Sequence, residues 1–318
     1  MVKKIIRNRG GLHNRITRKI KLEPFTLAET HAFLKYKGIA LPEIEILKVH
    51  MALGGVAEYL EHLESGDSAV TAIDRLCFQK GAQLENEYDD IFISLFEEDS
   101  YHEKIIAALA NGPKKGITRE ELLNQLALTS GGSFSKSLKE LMLSGFVLKY
   151  DSLTDNRKTT LYRIYDEFCS FHLQFMVPFK GSRWTQIFQK QEYTSWCGYA
   201  FETICLKHVS ELKKALKCDQ IESKNYSWSN DKAQVDLVID RSDGIVNLCE
   251  LKFYNDEFTV SADYAMKLRN KETQFRSSTG TKKGLYTTMV TTWGVKGTHS
   301  VGLVAESVVM GALFGLNS

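Results

Sequence analysis

Apolar residues recur at intervals of three and four positions in the early part of the chain, a spacing typical of amphipathic helices. Within residues 26–98, the segments with this spacing are LPEIEILKVHMALGG and VAEYLEHLESGDSAVTAIDRLCF. Thr26 and Glu29 have the spacing of a capping box, in which two side chains satisfy free N–H groups at a helix start. We therefore predict a small helical unit and assign the first domain to residues 1–98.

The pattern changes between residues 99 and 165, where three helical segments precede two strand-like segments. Helices are predicted in YHEKIIAALAN, TREELLNQLAL and SGGSFSKSLKELMLSG, and a hairpin is predicted in FVLKYDSLTDNRKTTLYRIY. Thr118 and Glu121 again have capping-box spacing. Three helices followed by a hairpin are the pattern of a winged helix, so we predict such a domain for residues 99–165.

The third helix of a winged helix is the one that contacts DNA bases. Its predicted exposed face carries Lys136 and Lys139, which makes them candidate nucleic-acid-binding residues. The basic surface is small, and a packing or protein-contact role for this unit is the alternative.

Helices and strands alternate from about residue 166 onward. Helices are predicted in YTSWCGYAFETICLKHVSELKKAL and SADYAMKLRNKETQFRSS, and strands in QVDLVID, VNLCELKF and GLYTTMVTTW. A helix, paired strands, a helix and another strand indicate an α/β unit with a central mixed sheet. The chain as a whole is therefore predicted to be multidomain α+β, with an α/β domain over residues 166–318.

Charged residues interrupt two segments that otherwise resemble buried strands: Asp236 lies in the first, and Glu250 and Lys252 lie in the second. Burying a charge is costly unless the charge is paired or binds a metal. Side chains alternate along a strand, so Glu250 and Lys252 face the same way, and a turn near residues 242–244 brings Asp236 close. Two adjacent carboxylates favour a divalent cation, and Mg²⁺ binds few protein carboxylates plus waters and phosphate oxygens. The alternative is a simple salt bridge between Lys252 and either carboxylate.

The order of these elements resembles the PD-(D/E)xK nuclease-like superfamily over residues 185–305. The residues that carry the resemblance are Asp236, Glu250 and Lys252, with Glu202 on the preceding helix, although QVD stands in place of the proline-containing PD. The resemblance implies a restriction-endonuclease-like fold and Mg²⁺ (or Mn²⁺) bound by Asp236 and Glu250. It also implies catalytic assistance by Lys252, a contribution of Glu202 through a metal-bound water, and DNA as the partner.

The helix after these strands carries two further lysines, Lys267 and Lys271, which are candidates for contacts with a nucleic-acid backbone. Such contacts release counterions and make binding depend on salt. A solvated helix face is the alternative interpretation of both residues.

The N-terminal half resembles the end of a prokaryotic AAA-type ATPase module of the STAND class, within the archaeal-type ATPases. The segments that carry this resemblance are GGLHNRITRKIKLEPFTLAET and ALGGVAEYL, which correspond to the end of the ATPase core and its helical lid. In that class, a winged helix and a nuclease-like domain commonly follow the lid, in the order predicted here.

An ATPase of this kind needs a GxxxxGK[ST] loop, whose backbone amides and lysine hold the nucleotide phosphates. The sequence contains no such loop. The resemblance therefore implies a C-terminal portion whose P-loop core is missing, with no ATPase activity of its own. It leaves an ATPase partner or self-association open.

Composition narrows the remaining function classes. The formal net charge is only +2, which argues against a general polyanion binder. Eight basic residues nevertheless fall between Lys3 and Lys21, either as a solvated segment or as a phosphate contact through Arg15 and Arg18.

The six cysteines lack zinc-site spacing, which favours buried free thiols. No apolar run has the length of a membrane span, so we predict a cytoplasmic protein without a membrane partner.

Two functions follow from these observations. The first is a metal-dependent DNA endonuclease-like domain that hydrolyses phosphodiesters, associated with an AAA-type ATPase module. The second is a non-catalytic, DNA-associated or regulatory module for assembly of a STAND ATPase. A sequence-specific transcription regulator that uses the winged helix is a third and weaker interpretation.

Overall fold

The structure is a computed structural model that describes residues 20–96, 100–129, 131–154, 157–297 and 301–315. The predicted helix MVKKIIRN and the basic stretch up to residue 19, with Arg15 and Arg18, lie outside these residues. Most of the strand predicted in RITRKIKL also lies outside them, and residues 20–22 form no strand.

The first part of the described chain is helical, as predicted. Its helices are α1 (Leu27–Tyr36), α2 (Glu43–Leu53), α3 (Ala57–Glu61), α4 (Ala69–Ile73) and α5 (Glu87–Leu95), and α4 continues into a π-helical turn, Asp74–Phe78. The capping box at the start of α1 is confirmed. The Thr26 N–H donates to Glu29 Oε2 at 2.8 Å, and the Glu29 N–H donates to Thr26 Oγ1 at 3.2 Å.

The middle part contains the predicted three helices and two strands. These are α6 (His102–Ala110), α7 (Arg119–Gln125), α8 (Gly132–Leu143), β1 (Val147–Thr154) and β2 (Arg157–Ile164). The capping box of Thr118 and Glu121 at the start of α7 is confirmed as well.

The remaining elements alternate between helix and strand. In chain order they are α9 (Glu167–Phe171) with a π-helical turn His172–Met176, α10 (Trp184–Ile187), α11 (Gln191–Lys207), α12 (Val209–Ala215), β3 (Ser223–Ser229), β4 (Gln234–Arg241), β5 (Ile245–Lys252), β6 (Phe258–Thr259), α13 (Ala262–Thr279), β7 (Gly284–Thr291), β8 (Val295–Lys296), β9 (Glu306–Val309) and a 3₁₀ turn, Met310–Phe314. The helix predicted across YTSWCGYAFETICLKHVSELKKAL is two helices, because His208 leaves the helical conformation between α11 and α12.

A seven-stranded mixed sheet with the order β2-β1-β3-β4-β5-β7-β9 forms the centre of the molecule, and thirteen α-helices occur within the described residues. The β1–β2 hairpin, predicted as the wing of a winged helix, belongs to this sheet. It joins through parallel pairing of Ser152–Thr154 with Ser227–Ser229. The middle part and the α/β part therefore share one sheet.

Helices cover the two faces of the sheet around β5. On one face, Leu251 and Cys249 belong to the same apolar cluster as Phe201 and Ile204 of α11. On the other face, Leu248 and Val246 pack with Trp228 and with Phe275 of α13. Because β5 is covered on both faces, almost all of its side chains are buried, which explains why its sequence is nearly continuously apolar.

Buried histidines connect the helical part to the α/β part. The Leu27 N–H at the start of α1 donates to His208 Nε2 at 3.1 Å, and the other ring nitrogen of His208 lies 2.8 Å from the Ile204 carbonyl oxygen. Since a carbonyl oxygen only accepts, Nδ1 carries the proton and the ring is neutral. Burial lowers the pKa of His208 in agreement with this tautomer.

All six cysteines are buried and free, as the sequence predicted. Among the described residues, no helix combines the length and the apolar character that a bilayer crossing requires.

Candidate functional site

Asp236 lies at an irregularity of β4. The pairing with β3 shifts between Tyr226↔Val238 and Trp228↔Val235, so β4 has an extra residue in this interval. Such a bulge bends a strand and re-aims its side chains. The paired register with β5 reaches Leu237, and the side chain of Asp236 lies just beyond it.

Glu250 lies one position past Cys249, the last residue of β5 that pairs with β4, and is itself paired with Met289 of β7. Its side chain lies on the face covered by α13. Its side chain is only 3% exposed, and both oxygens have donors. Tyr264 donates its hydroxyl to Glu250 Oε2 at 3.1 Å, and the ammonium of Lys271 pairs with Oε1. Tyr264 and Lys271 are seven residues apart on α13, which places them on one helix face. Burial raises the pKa of Glu250, the charge of Asp236 raises it further, and the two lysines oppose the rise.

Lys252 bridges the two carboxylates. Its Nζ lies 3.6 Å from Asp236 Oδ2 and 3.5 Å from Glu250 Oε2. Burial opposes the charge of Lys252, but the two carboxylates outweigh that effect and raise its pKa above the ordinary lysine value. Lys252 is therefore an ammonium ion at neutral pH, able to stabilise negative charge but unable to accept a proton. The sequence prediction that these three residues lie together is confirmed.

Glu202 approaches the same group from α11. Burial raises the pKa of Glu202 to about 7, and the charge of Asp236 contributes to the rise, whereas Arg163 and Lys252 oppose it. Within the described part of the chain, the Glu202 carboxylate makes no hydrogen bond or ion pair. Its half-buried position beside Asp236 gives it a protonation equilibrium near neutral pH, where a general base is most effective.

The chemistry of this donor set suits a hard divalent cation. Asp236, Glu250 and Glu202 offer only oxygen atoms. Burial is the main cause of the raised pKa values of Glu250 and Glu202, and the negative charge of Asp236 raises both further. Among the described residues, no three His, Cys, Asp or Glu side chains are close enough to form a complete metal cage. An open pair, Asp236 and Glu250, fits Mg²⁺, which keeps several waters and takes one or two carboxylates. It does not fit a structural zinc site, which is closed by four protein ligands.

The predicted nucleic-acid-binding lysines have different surroundings. Lys136 and Lys139 are exposed on α8, and Lys267 is exposed on α13. Lys271, in contrast, is engaged with Glu250 and belongs to the site itself. Tyr264 is a member of the site that the sequence analysis missed, since nothing in the sequence specifies how the faces of α13 are oriented against β5.

Comparison with known proteins shows a distant relationship. The chain is similar to an uncharacterized protein of the archaeon Methanocaldococcus jannaschii, with 24% identity over 249 residues. The match covers 75% of this chain and 53% of the relative, so the chain spans about half the length of the protein that it matches. No family model matches the chain, and no solved structure matches it significantly.

Proposed function

We propose that the chain carries a Mg²⁺- or Mn²⁺-dependent phosphodiesterase site acting on DNA, formed by Asp236, Glu250, Lys252 and Glu202. One observation carries the proposal. Asp236 and Glu250 both lie within 3.6 Å of the Lys252 ammonium group, and a third carboxylate, Glu202, has a pKa of about 7 beside them. Structural ion pairs do not require a third, unpaired carboxylate at the same place. Perturbed titratable groups in such a cluster are typical of functional sites.

Each residue has a role that its environment supports. Asp236 and Glu250 would hold the cation, which supplies charge neutralisation at the phosphate and a more acidic water when bound. Glu202 has the pKa of a general base and takes a proton from the attacking water. Lys252 stays protonated and stabilises the negative charge that develops on the phosphate oxygens as the bond to the leaving oxygen breaks.

A second candidate is a non-catalytic module for DNA association or ATPase assembly. The observation that favours it is the charge balance of the cluster: the ammonium groups of Lys252 and Lys271 neutralise the carboxylates of Asp236 and Glu250 without a metal ion. In this case the residues act as a buried ion-pair network that orients α13 on the sheet.

Cleavage assays separate the two candidates. Plasmid and single-stranded DNA are incubated with Mg²⁺ or Mn²⁺ and wild-type, Glu250→Ala or Lys252→Ala protein. Glu257→Ala is the matched control, because Glu257 is an exposed carboxylate outside the cluster. The proposal predicts metal-dependent cutting by the wild type and the control only. Equal cutting by all four proteins, or none by the wild type with either metal, contradicts it and favours the second candidate.

A further inference from the structure

Arg163, near the end of β2, is a buried arginine, with only 3% of its surface exposed. A buried guanidinium is costly unless its charge and its donors have partners. Arg163 Nη2 donates to Thr203 Oγ1 at 2.8 Å, and the guanidinium carbon lies 4.5 Å from the ring centroid of Tyr199. Both partners belong to α11 and are four residues apart, so Arg163 holds a single turn of that helix.

That turn is the one that carries Glu202. Glu202 lies next to Thr203 in the sequence, and the positive charge of Arg163 is among the influences that favour the ionised form of its carboxylate. Arg163 Nε has no hydrogen-bond partner within the described residues. An unpaired buried donor is costly, so an acceptor such as a carboxylate or a bound water is expected nearby.

A second contact from the middle part reaches the same helix. Lys114, in the loop between α6 and α7, donates from Nζ to the Ser195 carbonyl oxygen at 3.0 Å, and its charge also favours ionised Glu202. The continuity of the sheet makes these contacts possible, since β1 pairs with β3 and so holds β2 beside α11. The middle part therefore contacts α11 both in the turn that carries Glu202 and about two turns closer to the start of the helix.

We propose that Arg163 is a positioning residue of the Asp236–Glu250 site, holding through Thr203 and Tyr199 the turn of α11 that presents Glu202. This inference rests on the proposed function. It assigns to the β1–β2 hairpin, predicted from the sequence as part of a winged helix, a role in the phosphodiesterase site. Arginine suits the task because its planar group can stack on a ring and donate to a hydroxyl at the same time, which the ammonium of lysine cannot do.

The test combines kinetics with hydrogen exchange. DNA cleavage is measured for wild type, Arg163→Met, Arg163→Lys, Glu202→Gln and the double variant Arg163→Met/Glu202→Gln. Arg241→Met is the matched control, because Arg241 is also a strand arginine but pairs with Asp243, at the opposite end of β4 from Asp236. Amide exchange of α11 and α13 is followed in the metal-free proteins, which reports on position independently of cleavage.

Arg163→Met is expected to lower kcat by about 10- to 100-fold with little change in KM, as for other residues that orient a metal site. The loss should disappear in the Glu202→Gln background, and Arg163→Lys should recover only part of it. The amides of α11 should exchange faster in Arg163→Met, whereas those of α13 should not change. The control should cleave and exchange like the wild type.

Other outcomes overturn the inference. Wild-type kcat in Arg163→Met, full recovery by Arg163→Lys, or a loss that multiplies with that of Glu202→Gln would each show that Arg163 does not act by holding Glu202. Faster exchange throughout the protein would show a general loss of stability instead. A wild type that cuts no DNA overturns the proposed function, and the exchange of α11 then still decides whether Arg163 orders the Glu202 turn.

Discussion

The carboxylate of Asp236 accepts a hydrogen bond through Oδ2 from the backbone N–H of Leu251, at 3.1 Å. The paired register of β4 and β5 ends at Leu237 and Cys249, so this side chain satisfies the next N–H of β5 that faces β4. The bulge in β4 makes the arrangement possible by turning Asp236 toward the neighbouring strand. Asp236 is therefore held beside Glu250 by a hydrogen bond from the backbone of β5.

Replacing Lys271 distinguishes a metal site from a structural ion pair. In Lys271→Met, Glu250 loses a partner that competes with a cation. Mn²⁺ affinity is therefore expected to rise by up to about fivefold, since partly exposed pairs are worth roughly 1 kcal/mol. Isothermal titration with Mn²⁺ measures the change, and Lys267→Met on the exposed face of α13 is the control. Unchanged or weaker Mn²⁺ binding together with a large loss of stability would indicate that Lys271 has a structural role alone.

The pKa of Glu202 predicts how stability depends on pH. Its folded-state pKa of about 7 exceeds the ordinary glutamate value of 4.5, so the stability associated with this residue is complete below pH 4.5 and is lost as pH rises through 7. The cost at pH 8 is on the order of 2 kcal/mol after allowance for solvent, each pKa unit being worth about 1.4 kcal/mol.

Denaturant unfolding of wild type and Glu202→Gln at pH 5 and pH 8, without metal, checks this expectation. The wild type should lose more stability between the two pH values than the variant. Equal losses in the two proteins would mean that Glu202 titrates near its ordinary value.

His208 provides a prediction for the contact between the helical and α/β parts. His208→Ala leaves the buried Leu27 N–H without its acceptor, which is expected to destabilise the protein by about 2 kcal/mol. Because burial lowers the pKa of His208, its contribution is present above pH 6.5 and declines as the pH falls below that value. Chemical denaturation between pH 5 and pH 8 measures both effects. A variant as stable as the wild type at pH 8 would contradict the assigned hydrogen bond.

Lys136 and Lys139 test whether α8 contacts nucleic acid. If it does, replacing both residues with alanine should weaken DNA binding and reduce the dependence of log K on log salt by about 2, one unit for each phosphate contact. Fluorescence anisotropy at several salt concentrations measures the slope. An unchanged slope would exclude these lysines from the interface and would agree with a packing role for the middle part.

Local patterns were enough to predict the centre of the site. Alternation along β5 places Glu250 and Lys252 on one face, and a turn containing Gly244, which adopts a φ of +89°, returns the chain to Asp236. The capping residues Thr26 and Thr118 could be predicted from the sequence in the same way, because a capping box is a contact between residues three positions apart.

Features that depend on distant parts of the chain were not predictable in the same way. The contact of Lys271 with Glu250 depends on the rotation of α13 against the sheet. The parallel pairing of Ser152–Thr154 with β3 depends on two strands that are separated in the chain by β2, four helices and one π-helical turn. The interruption of the predicted long helix at His208 is stabilised by the hydrogen bond from Leu27, far away in sequence. No local spacing reports on any of these relationships.

Titration of the metal-free protein with Mn²⁺, followed by electron paramagnetic resonance, decides whether Asp236 and Glu250 form a metal site. A single site is expected in the wild type, lost in Asp236→Asn and in Glu250→Gln and retained in Glu257→Gln. Circular dichroism of each variant verifies that it is folded. Absence of Mn²⁺ binding in the wild type, or unchanged binding in folded Glu250→Gln, would contradict the metal site and leave an ion-pair network in its place.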